Sequence, residues 1–104
     1  MYISMTCLNG YFHDPALESL AQALMSAERG GAVAVWAPSG MTEAGGQAIL
    51  NQELYRLLFT ESDPNGAPLT LGEAARLAKA AVSDDDIRRT WILLGDPTMK
   101  LRVR

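Results

Sequence analysis

The rhythm of apolar residues changes several times along this chain, and each rhythm predicts an element. Tyr2-Ile3-Ser4-Met5-Thr6 is a short extended stretch of apolar and hydroxyl residues that runs into Cys7. Leu8-Asn9-Gly10 then predicts a turn, because Asn and Gly tolerate positive φ. Asp14-Pro15 predicts a helix start, Asp as the cap and Pro at the first helical position. Leu17, Leu20, Ala21, Leu24 and Ala27 follow at i, i+3, i+4 spacing and form one apolar face, and Gly30-Gly31 stops the helix.

Ala32-Val33-Ala34-Val35-Trp36-Ala37 has no polar alternation and ends at Pro38. It reads as a strand covered on both faces. A loop Pro38-Ser39-Gly40-Met41 leads to a second helix from about Thr42 to Phe59, with Leu50, Leu54, Leu57 and Leu58 on its apolar face. Gly45-Gly46 each cost about 1 kcal/mol in a helix interior, which argues for a start after them. Asp63-Pro64-Asn65-Gly66-Ala67-Pro68 is a loop. Thr70-Leu71-Gly72-Glu73 has capping-box spacing and opens a third helix to about Val82, with a narrow stripe of Leu71, Ala74, Ala75, Ala78, Ala81 and Val82.

Ser83-Asp84-Asp85-Asp86 caps a short turn through Arg89, Trp91-Ile92-Leu93-Leu94 is a last buried strand, and Met99–Val103 is an extended tail. The order β-α-β-α-α-β predicts an α/β fold, three layers (α/β/α) around a small, mostly parallel sheet with right-handed crossovers. Both strongest strands are apolar on both faces, and in so small a sheet one lies near an edge. Natural proteins cover such edges. The expectation is half of a larger sheet, or pairing with a second copy.

Composition narrows the function. At 104 residues the chain is one domain or part of one, and 48% hydrophobic with 20% charged residues is a globular balance. The net charge of −3 argues against binding nucleic acid by phosphate neutralisation. Five of nine basic residues (Arg88, Arg89, Lys100, Arg102, Arg104) lie in the last 17, which reads as a solvated edge. The longest uncharged stretches, Met1–His13 and Gly30–Thr42, are 13 residues each. A bilayer span needs about 20. No basic leader or cleavage site of a signal peptide is visible.

One cysteine and one histidine, Cys7 and His13, leave no internal disulfide and no Cys- or His-rich zinc site. Cys7 stands at the C-terminal end of a strand, before a turn and a helix. Reacting groups collect at that end of open α/β sheets, and a helix N-terminus lowers a thiol pKa. The alternative is that Cys7 is a small core residue.

Three blocks carry a resemblance. Met5-Thr6-Cys7-Leu8-Asn9-Gly10-Tyr11-Phe12, with Leu20-Ala21-Gln22-Ala23-Leu24 on the helix after it, resembles the nucleophile segment of gingipain-type cysteine peptidases, of the caspase-like clan. Gly30–Ala37 resembles the strand after that helix, and Leu94-Gly95-Asp96-Pro97-Thr98-Met99-Lys100-Leu101 resembles the family's closing Gly-Asp-Pro strand. The resemblance covers nearly the whole chain and implies a caspase-like half-domain, with residues 1–104 as the C-terminal portion of the catalytic domain.

It implies Cys7 as nucleophile and its backbone N–H as an oxyanion donor. Gly10 would be the residue that turns the chain out of the cleft, and Trp36, Ser39 and Met41 would lie on the pocket loop. The reaction implied is peptide-bond cleavage through an acyl-enzyme, on a peptide or protein substrate and with no cofactor. A secreted or surface-bound bacterial parent is also implied. The family's histidine precedes its cysteine, whereas the six residues before Cys7 contain none and His13 follows it. The base is therefore expected from a missing N-terminal half or a second copy. With an ordinary pKa near 8.5, Cys7 would be only a few per cent thiolate at neutral pH, and the isolated chain would alkylate slowly and cleave poorly.

Two rival readings remain: a non-catalytic caspase-like module that dimerises or docks through its open sheet edge, and an unrelated small α/β binding domain with Cys7 in the core. Asp84-Asp85-Asp86 offers oxygen ligands for calcium, which some family members bind, but adjacent carboxylates diverge and a solvated helix cap fits better. Asp96 fits a turn-fixing role. Met5, Met41 and Met99 also fit packing.

Overall fold

A computed structural model describes residues 1–102. In chain order it contains β1 (Tyr2–Ile3), α1 (Leu20–Ser26), β2 (Ala34–Pro38), α2 (Ala44–Thr60), α3 (Leu71–Ala80), α4 (Asp85–Thr90) and β3 (Trp91–Gly95). The sheet runs β1-β2-β3. β1 is parallel to β2, with Tyr2 opposite Val35 and Ile3 opposite Trp36. β3 is antiparallel to β2, from Ala34 opposite Gly95 to Pro38 opposite Trp91.

The sheet is thus mixed rather than mostly parallel. A single crossover helix returns a chain to the start of a parallel neighbour. Here three helices, α2, α3 and α4, separate β2 from β3, and the chain comes back to the end where β2 stopped. β3 then runs the other way.

All five residues of β2 are buried, and their side chains alternate between two cores. Ala34 and Trp36 join Leu50, Leu54, Leu57 and Leu58 of α2, the Leu71 and Ala74 stripe of α3, Ile87 of α4 and Trp91 of β3. Val35 and Ala37 face Ala21, with Leu24, Met25 and Leu94 packed around them. Helices therefore cover both faces, as the two-sided apolar run predicts. Trp36 and Trp91 anchor the larger core with ring centroids 5.5 Å apart.

Three helix boundaries differ from expectation. Asp14 does not open α1: its carboxylate accepts from the Ala16 and Leu17 amides in an isolated turn. The helix starts six residues on, under a capping box in which Ser19 and Gln22 satisfy each other's amides. Leu17 consequently lies outside the helix and is 73% exposed. α2 starts before the glycine pair, because Glu43 caps it by accepting from the Gly45 and Gly46 amides at 2.8 and 2.9 Å. Gly46 packs closely there, since a Cβ would stand 3.0 Å from Ile87 Cδ1 and Cγ1 and Ile87 would have to give way to it. α3 stops at Ala80 and leaves Ala81 exposed, although its capping box and the rest of its stripe form as expected.

Asp84 caps α4, accepting from the Asp86 and Ile87 amides, and Asp85 lies 3.8 Å from both Arg88 and Arg89. Among the described residues, no group of three His, Cys, Asp or Glu side chains is placed to hold a metal. Asp96 fixes its turn by accepting from the Thr98 amide and hydroxyl. The expected tail strand is a single bridge, Thr70 to Lys100, and Val103 lies outside the described residues. No described helix is long and apolar enough to cross a membrane.

Candidate active site

The site begins where β1 ends. The Ser4 amide donates to the Trp36 carbonyl at 3.0 Å and continues the parallel pairing, after which the chain leaves the sheet. Ser4 is buried, and its hydroxyl closes the turn by accepting from Asn9 Nδ2 at 2.5 Å. The Tyr11 amide donates to the Leu8 carbonyl, and the Gly10 amide donates to the Pro38 carbonyl at 2.9 Å. The turn is thereby tied to the C-terminal ends of both parallel strands.

Gly10 is required because the backbones approach closely: a Cβ would stand 3.1 Å from the carbonyl oxygens of Ala37 and Pro38. Its N–H is engaged by the Pro38 carbonyl, and Gly10 thereby closes the turn. The positive φ falls on neither Asn9 nor Gly10 but on Leu8, at 66°. A branched residue in the left-handed region, next to the cysteine, is a strained arrangement worth about 1–2 kcal/mol.

Cys7 is half-buried. It faces the N-terminus of α2, not the helix that follows it in sequence. Its Sγ donates to the Thr42 carbonyl at 3.5 Å and accepts from Gln47 Nε2 at 3.4 Å. Gln47 Nε2 also donates to the Thr42 carbonyl at 2.9 Å. Hydrogen bonding from the Thr42 backbone, then from the Gln47 amide, holds the thiol below its ordinary value against the opposing effect of burial, and the Thr42 side chain adds to the lowering. The expectation of an ordinary thiol is corrected in direction.

The other sequence candidates scatter. His13 is exposed and packs its ring 3.9 Å from Tyr11 and 5.2 Å from Phe12, with no hydrogen bond to Cys7. Trp36 is 1% exposed and belongs to the core rather than to a cleft. Ser39 is locked onto the end of α4, its amide and hydroxyl both donating to the Thr90 carbonyl at 2.7 Å. Met41 is 79% exposed on the loop that leads to Thr42.

Sequence reasoning missed Thr42 and Gln47. A glutamine on the buried face of α2 is the one readable signal. It also missed a surface depression of about 230 Å³ lined by Leu8, Tyr11, Asp14, Leu17, Glu18 and Ser19, one residue along from the cysteine. A second depression, lined by Arg76, Lys79, Asp85, Arg88 and Arg89, lies on α3 and α4 and does not include Cys7.

Residues 1–102 match the family model of peptidase family C25. No curated protein and no solved structure gives a significant match. The three sequence blocks and the model match cover the same stretch, and on that ground the chain belongs to peptidase family C25, the gingipain family of cysteine peptidases.

Proposed function

We propose that this chain is the nucleophile-bearing portion of a cysteine-type endopeptidase domain, with Cys7 as the attacking group. The observation that carries the reading is the Cys7 thiol itself: half-exposed, at the ends of two parallel strands, and hydrogen-bonded so as to favour ionisation, in a chain of family C25. The thiolate attacks a peptide carbonyl, the amine leaves with a proton, and water hydrolyses the acyl-enzyme. The Cys7 N–H is the oxyanion donor on this chain. Met41 is the exposed residue of the pocket loop, and Ser39 holds that loop against α4.

The leaving amine needs a proton donor within about 3 Å, and His13 is engaged with Tyr11 and Phe12 instead. A base from other polypeptide, seated along the open β1 or β3 edge, completes the site. The rival reading, a docking module without chemistry, draws on the same open edges.

Peptidyl acyloxymethyl ketones with varied terminal side chains distinguish the two. Mass spectrometry is expected to find one adduct, at Cys7, that Cys7→Ala abolishes. Turnover of a fluorogenic peptide is expected to be very low for the chain alone and to rise with added imidazole, against a Cys7→Ala control. A chain that accepts iodoacetamide but none of the peptidyl ketones is the docking module.

A further inference from the structure

We propose that Gln47 is a positioning residue for Cys7: its buried amide, with the Thr42 hydroxyl, forms a donor cradle that holds the sulfur at the N-terminus of α2 in its reactive form. The proposal rests on Cys7 being the nucleophile.

Gln47 is 3% exposed on the helix face that also buries Leu50, Asn51, Leu54, Leu57 and Leu58. A buried carboxamide is costly unless its hydrogen bonds are made, so such a residue has a partner to serve. Here the amide nitrogen is shared between Cys7 Sγ and the Thr42 carbonyl. That carbonyl lies 3.5 Å from the sulfur. Gln47 therefore donates to the sulfur and, through the shared carbonyl, fixes the sulfur's other hydrogen-bond partner in place.

Two further features support the cradle. The Thr42 hydroxyl is buried and has no partner, so its proton is free to turn toward the sulfur. Asn51, one turn along α2 and 2% exposed, donates to the Gln47 main-chain carbonyl at 2.8 Å and braces that turn from below. The cradle also stands at the positive end of a 17-residue helix, which favours an anion.

The charged groups on neighbouring elements are turned elsewhere. Glu43 and Asp84 cap α2 and α4 with their carboxylates on their own helices' amides, and His13 packs on aromatic rings. Hydrogen bonds and burial alone move the Cys7 thiol.

The test is the pH profile of Cys7 alkylation by iodoacetamide in the wild type, Gln47→Leu, Gln47→Glu and Thr42→Val. Gln47→Leu is expected to move the midpoint up by about one pH unit and slow alkylation near neutrality by about tenfold. Gln47→Glu moves it further, by placing a carboxylate beside the sulfur, and Thr42→Val moves it less. Circular dichroism and urea midpoints identify the variants that remain folded. If Gln47→Leu does not fold, the volume-conserving Gln47→Glu carries the same readout. A folded Gln47 variant with the wild-type profile overturns the proposal and reduces Gln47 to a packing residue. Peptidyl-ketone labelling with an unmoved profile sinks the cradle and leaves the peptidase reading intact, whereas a moved profile without labelling does the reverse.

Discussion

The two faces of the sheet are built unequally. One carries three helices, with the paired tryptophans, the leucines of α2 and the alanine stripe of α3 all buried together. The other carries only α1, seven residues long, with Ala21 as its single buried residue and Val35 and Ala37 beneath it. The turn that carries Cys7 sits at the seam. Its hydrogen-bond partners Thr42 and Gln47 come from the thick side, and the segment that follows it, through Tyr11 and Leu17, crosses to the thin side. The sulfur is held by the well-packed half, while the depression beside it is lined by the loosely packed half. That division suits the proposed site, in which the attacking sulfur would be fixed and the wall beside it would adapt.

Truncations on the two faces should break or confirm this contrast, and the largest effect belongs to the thick side. Leu54→Ala, 1% exposed between α2 and its neighbours, is expected to cost about 2–5 kcal/mol by transfer and cavity together. Val35→Ala on the thin face removes two methyl groups and is expected to cost about 2 kcal/mol, because α1 can settle onto the smaller side chain. Urea unfolding measures both. Amide exchange should match: α1 opens locally while α2 exchanges only on global unfolding. Equal costs on the two faces, or equal protection of α1 and α2, would remove the asymmetry.

The same contrast explains what was legible in the sequence. Elements of the thick face were readable because their signals are long and periodic. The stripe Leu50, Leu54, Leu57 and Leu58 is buried as expected, and the Thr70–Glu73 capping box forms. On the thin face a strong local signal, Asp14-Pro15, competes with the weaker Ser19–Gln22 box and loses, because the chain must first cross the end of β2 through Gly10 before a helix can lie on the sheet. The direction of β3 was not readable, since nothing in its residues records how many helices precede it. At the candidate site, the turn closed at Gly10 was legible from the motif, which also singles out Cys7 as the proposed nucleophile. Thr42 and Gln47 were not, because they lie 35 and 40 residues away from Cys7 and meet it only through the fold.

Leu8 sharpens the comparison at the seam itself. Its φ of 66° is held by the Tyr11 amide on its carbonyl and by the closures at Ser4–Asn9 and Gly10–Pro38. Leu8→Ile puts a β-branch into the left-handed region and is expected to cost about 1 kcal/mol more than the leucine already does. Leu8→Gly relieves that strain but gives the unfolded chain more freedom, and the two effects nearly cancel. Stability therefore hardly separates leucine from glycine, whereas the alkylation rate of Cys7 should, since glycine lets the sulfur leave its donors. An unchanged alkylation rate in Leu8→Gly would mean that Gln47 and Thr42 hold the sulfur without help from the turn.

The smallest effect concerns the cap of α2. The Gly45 and then the Gly46 amide hold the Glu43 carboxyl below its ordinary value, with Asp84 opposing. A carboxylate depressed in the folded state contributes stability above its unfolded value near 4.3, and that contribution is lost as the pH falls through the lower folded value. Glu43→Gln removes this contribution throughout, so the difference in urea midpoint between wild type and variant should narrow on acidification from about pH 6 to about pH 3. Asp63, Glu73 and Asp96 are shifted in the same direction and would drive acid unfolding in both proteins, which is why only the difference reports on the cap. Because Glu43 lies between Thr42 and the turn that carries Gln47, losing its cap is expected to loosen both hydrogen-bond partners of Cys7 at once. A difference that stays constant with pH would mean that the first turn of α2, and the sulfur's seat on it, is held by the packing of Gly46 against Ile87 rather than by the carboxylate.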